Sequence, residues 1–282
     1  MIRPRDFDNS VVGNNIYVVG NTLSEVWEKS IVQLYLNGRD KPTQYDKPDD
    51  PKGKVAKAML EILHPLDDPM IHRCFPGGIY ELESYRQEVV DGIHDHWIAP
   101  EEGKWEYSYH QRLFTYMVPG LDIPLNQIQY CIDAIKECPY TRRAIASVWK
   151  PWEDAGINDP ACLQHVAFTV IDNKLEMVAH MRSNDAFRAS LMNIFAFIDL
   201  QRVVAEATGY EVGTYTHFAN DYHIYGSCLK DVEGFMKTLE ARPFEKRVFY
   251  WDELKEWFDE AKEQVRNSLE IEKATGMKGV KG

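Results

Sequence analysis

Apolar positions along the chain recur at two spacings, and together they outline its elements. Between residues 21 and 37, Leu23, Val26, Trp27, Ile31 and Leu34 fall on one stripe and predict a helix. Residues 37–54 are polar and proline-rich and read as a loop, which carries Arg39. Residues 55–63 read as a short helix. Residues 79–92, IYELESYRQEVVDG, read as a helix stopped at Gly92, and residues 125–137 as another that ends before Cys138-Pro139. Residues 142–149, RRAIASVW, have strand character. Residues 165–171 and 174–180 are dense in Val, Ile, Leu, Phe and Met, and Asp172-Asn173 between them is a turn pair, so this stretch is a β-hairpin. Residues 186–209 form a long, mostly apolar helix stopped at Gly209, and residues 214–223 are extended. Residues 251–273 make a charged amphipathic helix with Leu254, Trp257, Phe258, Ala261, Val265 and Leu269 on one face, a packed or partner-contacting surface. Helices come early and late with strands between them, which is an α+β arrangement. No internal repeat or Gly/Ser linker divides the chain.

The hairpin has a chemical consequence. If Asp172-Asn173 centre the turn, Arg182 faces Leu163 and Ser183 faces Cys162, so the guanidinium lies beside the thiol. A neighbouring cation favours thiolate over thiol and makes a nucleophile. The same arginine can hold an anionic substrate. The plainer alternative is a buried structural cysteine near a surface arginine.

Composition narrows the field. A chain of 282 residues with 44% hydrophobic residues supports a substantial core. A net charge of −12 without a basic run argues against a nucleic-acid binder, so an anion would need a local basic pocket. Arg142-Arg143 and Arg182 are candidates for one. The five cysteines include no CxxC pair, and no His-rich spacing suggests a metal. Reduced thiols, no signal-peptide core and no apolar run of the roughly 18 residues that span a bilayer lead to the expectation of a cytoplasmic protein without membrane partners.

Five short motifs carry a family resemblance. They are YEL at 80–82, RRAI at 142–145, PAC at 160–162, RSND at 182–185 followed by Asn193, and DYHIY at 221–225. In this order they resemble the thymidylate synthase family. The resemblance implies a single domain over residues 1–282, with a divergent N-terminal part (1–70) and a divergent C-terminal helix and tail (251–282). The implied fold is α+β, with a large mixed sheet that packs against its copy in a homodimer. The implied substrates are a pyrimidine nucleoside monophosphate and 5,10-methylenetetrahydrofolate, with no metal. Cys162 is then the nucleophile that adds to C6 of the base and makes C5 electron-rich. Glu81 matches a glutamate that organises water and protons around the base, and Tyr109 a tyrosine near the C5 proton. Arg182 and Ser183 match phosphate ligands, and Arg142 and Arg143 match arginines that reach the phosphate in the other subunit. His223 and Tyr225 match groups on the sugar hydroxyl. Arg39 stands roughly where the family has a phosphate-binding arginine, although the glycine-rich surroundings are absent. Asn193 offers a donor and an acceptor to the base and favours uracil. Asp185 and Trp97 match folate contacts. For each residue the plain alternative is a solvated or packing side chain.

Departures from the family pattern bear on the product. His94 stands where a tryptophan beside folate is usual, and the ending MKGVKG lacks the short apolar tail that closes over folate. Leu163, Met181, Arg188 and Ala189 also differ from the usual residues. Lys150, in VWKPW, replaces an asparagine and is a candidate for a phosphate or sugar contact. Water exclusion protects a reactive methylene intermediate, so a more polar wall favours hydroxymethylation of dUMP, dCMP, UMP or CMP over methylation of dUMP. A third reading is a nucleotide- or RNA-binding protein that keeps the fold without the chemistry.

Overall fold

The computed structural model describes residues 15–276. β1 (Asn15–Gly20) leads into α1 (Leu23–Asn37), which buries the stripe of Leu23, Val26, Trp27, Ile31 and Leu34. β2 (Arg39–Lys41) and β3 (Gly53–Ile62) follow and pair antiparallel, so the loop carrying Arg39 begins as a sheet edge. The helix expected over residues 55–63 is a strand. Ala56, Ala58, Leu60 and Ile62 are buried and alternate with more exposed Lys57, Met59 and Glu61, a period of two. After β4 (Ile71–His72), α2 (Ile79–Asp91) stops at Gly92, whose φ of 67° is left-handed and costs a glycine nothing.

α3 (Tyr109–Phe114), α4 (Gln127–Glu137), β5 (Ile145–Ser147) and α5 (Pro151–Asp154) come next. The strand expected over residues 142–149 is confined to β5. β6 (Leu163–Ile171) and β7 (Lys174–Met181) form the expected hairpin, and Asp172 and Asn173 take positive φ of 49° and 62°, as a tight two-residue turn requires. β8 (Asn184–Asp185) precedes α6 (Ser190–Thr208). This helix starts later than residue 186 because β8 is drawn into the sheet beside the next strand, β9 (Glu211–Ile224). Asp185 Oδ1 then accepts the backbone N–H of Phe187 at 3.0 Å and of Arg188 at 2.9 Å, which holds the non-helical turn. α7 (Leu229–Ala241), β10 (Val248–Phe249) and α8 (Trp251–Thr275) complete the described chain.

The main sheet has the order β1-β3-β9-β7-β6-β5, with β2 on β3 and β8 on β9. It is mixed: β1–β3, β7–β9 and β8–β9 are parallel, the remaining pairs antiparallel. α1 packs on β1 and β3, α6 packs on β7 and β9, α2 lies on α6, and α8 lies on α2. Leu254, Phe258, Ala261 and Val265 of α8 are buried, while Trp257, expected on the same face, is exposed. The other face of the sheet is open. Tyr17, Met59, Val178 and Ile145 are all exposed on it.

One buried ion pair joins α3 to α5. Arg112 Nη2 lies 3.1 Å from Asp154 Oδ1, and both side chains are almost wholly buried. Asp154 Oδ2 accepts the Lys150 N–H at 2.6 Å. The Lys150 ammonium is buried 3.3 Å from Glu153 and 4.8 Å from the centre of the Tyr116 ring. Among the described residues no helix is long and apolar enough to cross a membrane.

Candidate active site

The strand register sets the geometry at Cys162. Between Leu163 and His165 the β6–β7 pairing slips by one residue, so Leu163 pairs with Met181 rather than with Arg182. Arg182 instead lies opposite Cys162, and its N–H donates to the Cys162 carbonyl at 2.8 Å. The expected neighbours are therefore reached one step out of the expected register. The Arg182 guanidinium donates through Nε to the Ala161 carbonyl at 3.0 Å and through Nη2 to the Pro160 carbonyl. It ties down the two residues before Cys162.

Expectation and structure part over the thiol's charge. Burial pushes the Cys162 pKa up; Arg182 works against that, and Asp159 adds to it, with a net rise above the ordinary 9.0. The resting side chain at neutral pH is a thiol, not a thiolate. Iodoacetamide is therefore expected to label Cys162 slowly near pH ~7 and faster as the pH climbs past the usual thiol range. Peptide-resolved mass spectrometry would follow this, and a labelling rate that levels off below about pH 8 would show the thiol to be activated at rest.

Three cavities are lined by residues around Cys162, which is itself not among their lining residues. The first, about 330 Å³, is lined by Arg182, Ser183, Asp221, His223, Tyr225 and the 41–45 loop. The second, about 370 Å³, is lined by Tyr85, Glu88, Asp159 and residues 105–109. Cys162 lies between them, within electrostatic reach of Tyr225 on one side and of Tyr107 and Tyr109 on the other. The third, about 300 Å³, runs between α2 and α8 and shares Tyr85 and Glu88 with the second.

The first cavity contains an unsatisfied ring nitrogen. His223 Nδ1 lies 3.0 Å from Asp221 Oδ1, and its Nε2 is buried with no hydrogen-bond partner among the described residues. Nδ1 faces the carboxylate, and Nε2 is the ring nitrogen left over. The Asp221 carboxyl is lowered: burial opposes this, but the bonds to His223 and Lys41 outweigh it. The cation at this rim is Lys41, which pairs with Asp221; Arg39 is exposed on β2.

Next to the cysteine, the Tyr109 hydroxyl accepts the N–H of Leu163 at 3.3 Å. Burial holds its pKa well above 10.0, so it remains a phenol. The Tyr85 hydroxyl donates to Asn193 Oδ1 at 2.7 Å and so orients the carboxamide. Tyr85 and Glu88 are the residues that the sequence patterns do not single out. Glu81 is exposed in the first turn of α2, where its Oε2 accepts the Gly78 N–H at 3.1 Å. Glu88, about two turns further along the same helix, is the carboxylate common to the second and third cavities. A spacing of seven on α2 was the available signal. His94 Nδ1 lies 2.9 Å from Glu88 Oε2, and the imidazole stacks on Trp97 with ring centres 3.8 Å apart.

Four further expected site residues line none of the three cavities. Arg142 and Arg143 are exposed just before β5, and Lys150 is packed beneath α5. Asp185 engages backbone N–H groups at the start of the α6 turn.

Comparison with known proteins points to one family. The family profile described as Thymidylate synthase matches residues 81–271. A protein of Methanocaldococcus jannaschii is 32% identical over 177 residues, 61% of this chain and 75% of the relative. A Methanosarcina mazei protein is 26% identical over 77% of this chain and 93% of its own length. A Methanopyrus kandleri protein is 28% identical over 78% of this chain and 98% of its own. All three carry the name "Putative thymidylate synthase".

Proposed function

Because this chain belongs to the thymidylate synthase family, we propose that it transfers a one-carbon unit from 5,10-methylenetetrahydrofolate to C5 of a pyrimidine nucleoside monophosphate, as in the methylation of dUMP to dTMP. The observation that carries this reading is the position of Cys162. The thiol lies between a cavity with a cation, a hydroxyl and an unpaired imidazole nitrogen, and one with a carboxylate and phenols. The first suits a sugar phosphate held by Arg182, Ser183, His223 and Tyr225; Asn193 suits the base edge.

In this scheme the Cys162 sulfur loses its proton, bonds to C6 and drives an electron pair onto C5. C5 then takes up the carbon, and its own proton leaves toward the side of Tyr109 and the α2 carboxylates. Glu88 lines the second and third cavities and Glu81 the third, so both α2 carboxylates suit the proton and water work that the resemblance assigns to Glu81. The folate supplies the carbon, whose bond to the folate nitrogen breaks, and, for a methyl product, the hydride; the Cys162–C6 bond then breaks and the sulfur leaves the ring. The third cavity fits such a cosubstrate: Trp97, His94, Met192 and Leu269 give flat and apolar walls. A second copy of the chain suits the open sheet face, with the exposed Arg142 and Arg143 reaching the phosphate in its site.

A second reading, hydroxymethylation, is favoured by the His94–Glu88 pair, a hydrogen-bonding wall where the resemblance leads one to expect an apolar one. Water would then take the place of hydride. Incubation with methylenetetrahydrofolate and dUMP, dCMP, UMP or CMP in turn decides between them. The methylation reading requires dihydrofolate to form along with product; product without dihydrofolate supports hydroxymethylation. Absence of product with all four nucleotides would refute both.

A further inference from the structure

The open face of the main sheet carries two histidines that the scheme above does not use. The strand registers set Tyr17, Met59, Phe218, His180, His165 and Ser147 in one row across the six strands of the sheet path. All six are exposed or half-buried. The His165 and His180 rings meet edge to face with centres 5.1 Å apart, and His180 packs on Phe218 at 5.0 Å. His180 Nε2 lies 3.3 Å from Asn220 Oδ1. Among the described residues the other ionisable side chains on this face are Lys57 and Glu61 on β3, Lys174 and Glu176 on β7, and Tyr17 on β1, which bonds to Glu61. Only Tyr17 shares the row of the histidines, so no carboxylate stands in it. β5 offers Ser147 to the pair, and β9 offers Phe218 and Asn220. On the opposite face of β9, burial pushes the wholly buried His217 down to about 3, so it stays neutral.

A second copy of the chain fits this face. The chain carries a net charge of −12, yet the row holds no group charged above the imidazole range, and Met59, Val178 and Ile145 are exposed around it. Strands about 4.8 Å apart with ~3.4 Å per residue give the face roughly 600–700 Å², near the ~800 Å² that each partner gives to a stable complex. A two-fold contact makes one patch meet itself. β9 and β7 are the middle strands of the six, so such a contact sets His180 and its neighbour His165 near its centre. We infer that this face is a pH-gated contact between two copies of the chain, held while His165 and His180 are neutral and opened when they take up protons. The inference rests on the second copy proposed above. Burial lowers the His165 pKa from 6.5, and His180 lowers it further. Covering the pair with a second sheet adds to both causes, so proton uptake favours separate chains. The contact is therefore kept at neutral pH and lost as the pH falls below 6.5. Burial raises the Glu176 carboxyl, so its proton uptake works in the opposite sense and does not mimic the effect. Parting also withdraws Arg142 and Arg143 from the other copy's phosphate site.

Sedimentation velocity of the full chain at about pH 7.5 and about pH 5.5 tests the inference. Dimer affinity is expected to fall at least about tenfold at the lower pH, the effect of one ordinary imidazole that ionises only after release, with the far-ultraviolet circular dichroism unchanged. The double variant His165→Gln with His180→Gln is expected to dimerise at both pH values with affinities within about threefold of each other. His165→Gln alone is expected to show an intermediate fall. A wild-type affinity that holds at the lower pH overturns the inference. So does a double variant that keeps the wild-type fall, and so does wild type that loses its folded signal together with the dimer. Should the double variant fail to fold, a His165→Gln fall equal to that of wild type has the same force. Wild type that stays a single copy at both pH values refutes the second copy itself, a result distinct from a dimer that ignores pH.

Discussion

Cys162→Ala is expected to reduce turnover at least about 10⁴-fold, the scale on which loss of a covalent nucleophile is felt, while nucleotide affinity stays near that of wild type. The argument is local. The Arg182 guanidinium is held by the carbonyls of Ala161 and Pro160, and the Arg182 N–H by the carbonyl of Cys162, so no bond that shapes the site passes through sulfur. The first cavity is likewise lined by other side chains. Single-turnover assays with calorimetric titration of dUMP separate the two quantities. Full turnover by the variant would remove the covalent scheme. A wild-type protein that binds nucleotide but never forms product would leave a binding protein on an enzyme's fold.

Asp154→Ala is expected to cost about 3–5 kcal/mol of stability, as when one partner of a buried ion pair is lost. It leaves the Arg112 guanidinium in the interior without its carboxylate and removes the acceptor for the Lys150 N–H. Urea unfolding followed by circular dichroism measures the loss. The double variant Arg112→Met with Asp154→Leu is expected to recover much of it, because filling the space with apolar side chains removes the desolvation cost along with the attraction. A single variant within about 1 kcal/mol of wild type would mean that Glu153, 3.2 Å from Arg112, already suffices.

The hairpin was legible in the sequence because Asp172-Asn173 and the apolar runs beside it leave little choice of turn. The slip near Gln164 was not, since a bulge leaves no compositional trace. The strand over residues 55–63 was obscured by its own residues: VAKAMLEIL is made largely of good helix formers, and only its place between β1 and β9 favours extended backbone. The short motifs led to Cys162, Arg182, Ser183, His223 and Tyr225. Glu88 and Tyr85 escaped because their places come from the way α2 lies against α6 and α8, which the seven-residue spacing from Glu81 to Glu88 does not reveal by itself. The apolar face of α8 was readable. The thiol's raised pKa was also hidden, because an adjacent arginine is visible in sequence whereas desolvation is not.

β9 joins β3 on one side to β7 and β8 on the other, and so carries the consequences of its topology into folding kinetics. Residues 53–62 must find residues 211–224 before either half of the sheet is complete. Closing so long a loop spends chain entropy well before contacts repay it, and pairings this distant slow folding. Until β9 docks, β3 and β7 present bare edges that invite association with other chains. His223 and Tyr225 lie at the end of that strand, so the first cavity is completed late during refolding, and dilute solution favours its recovery.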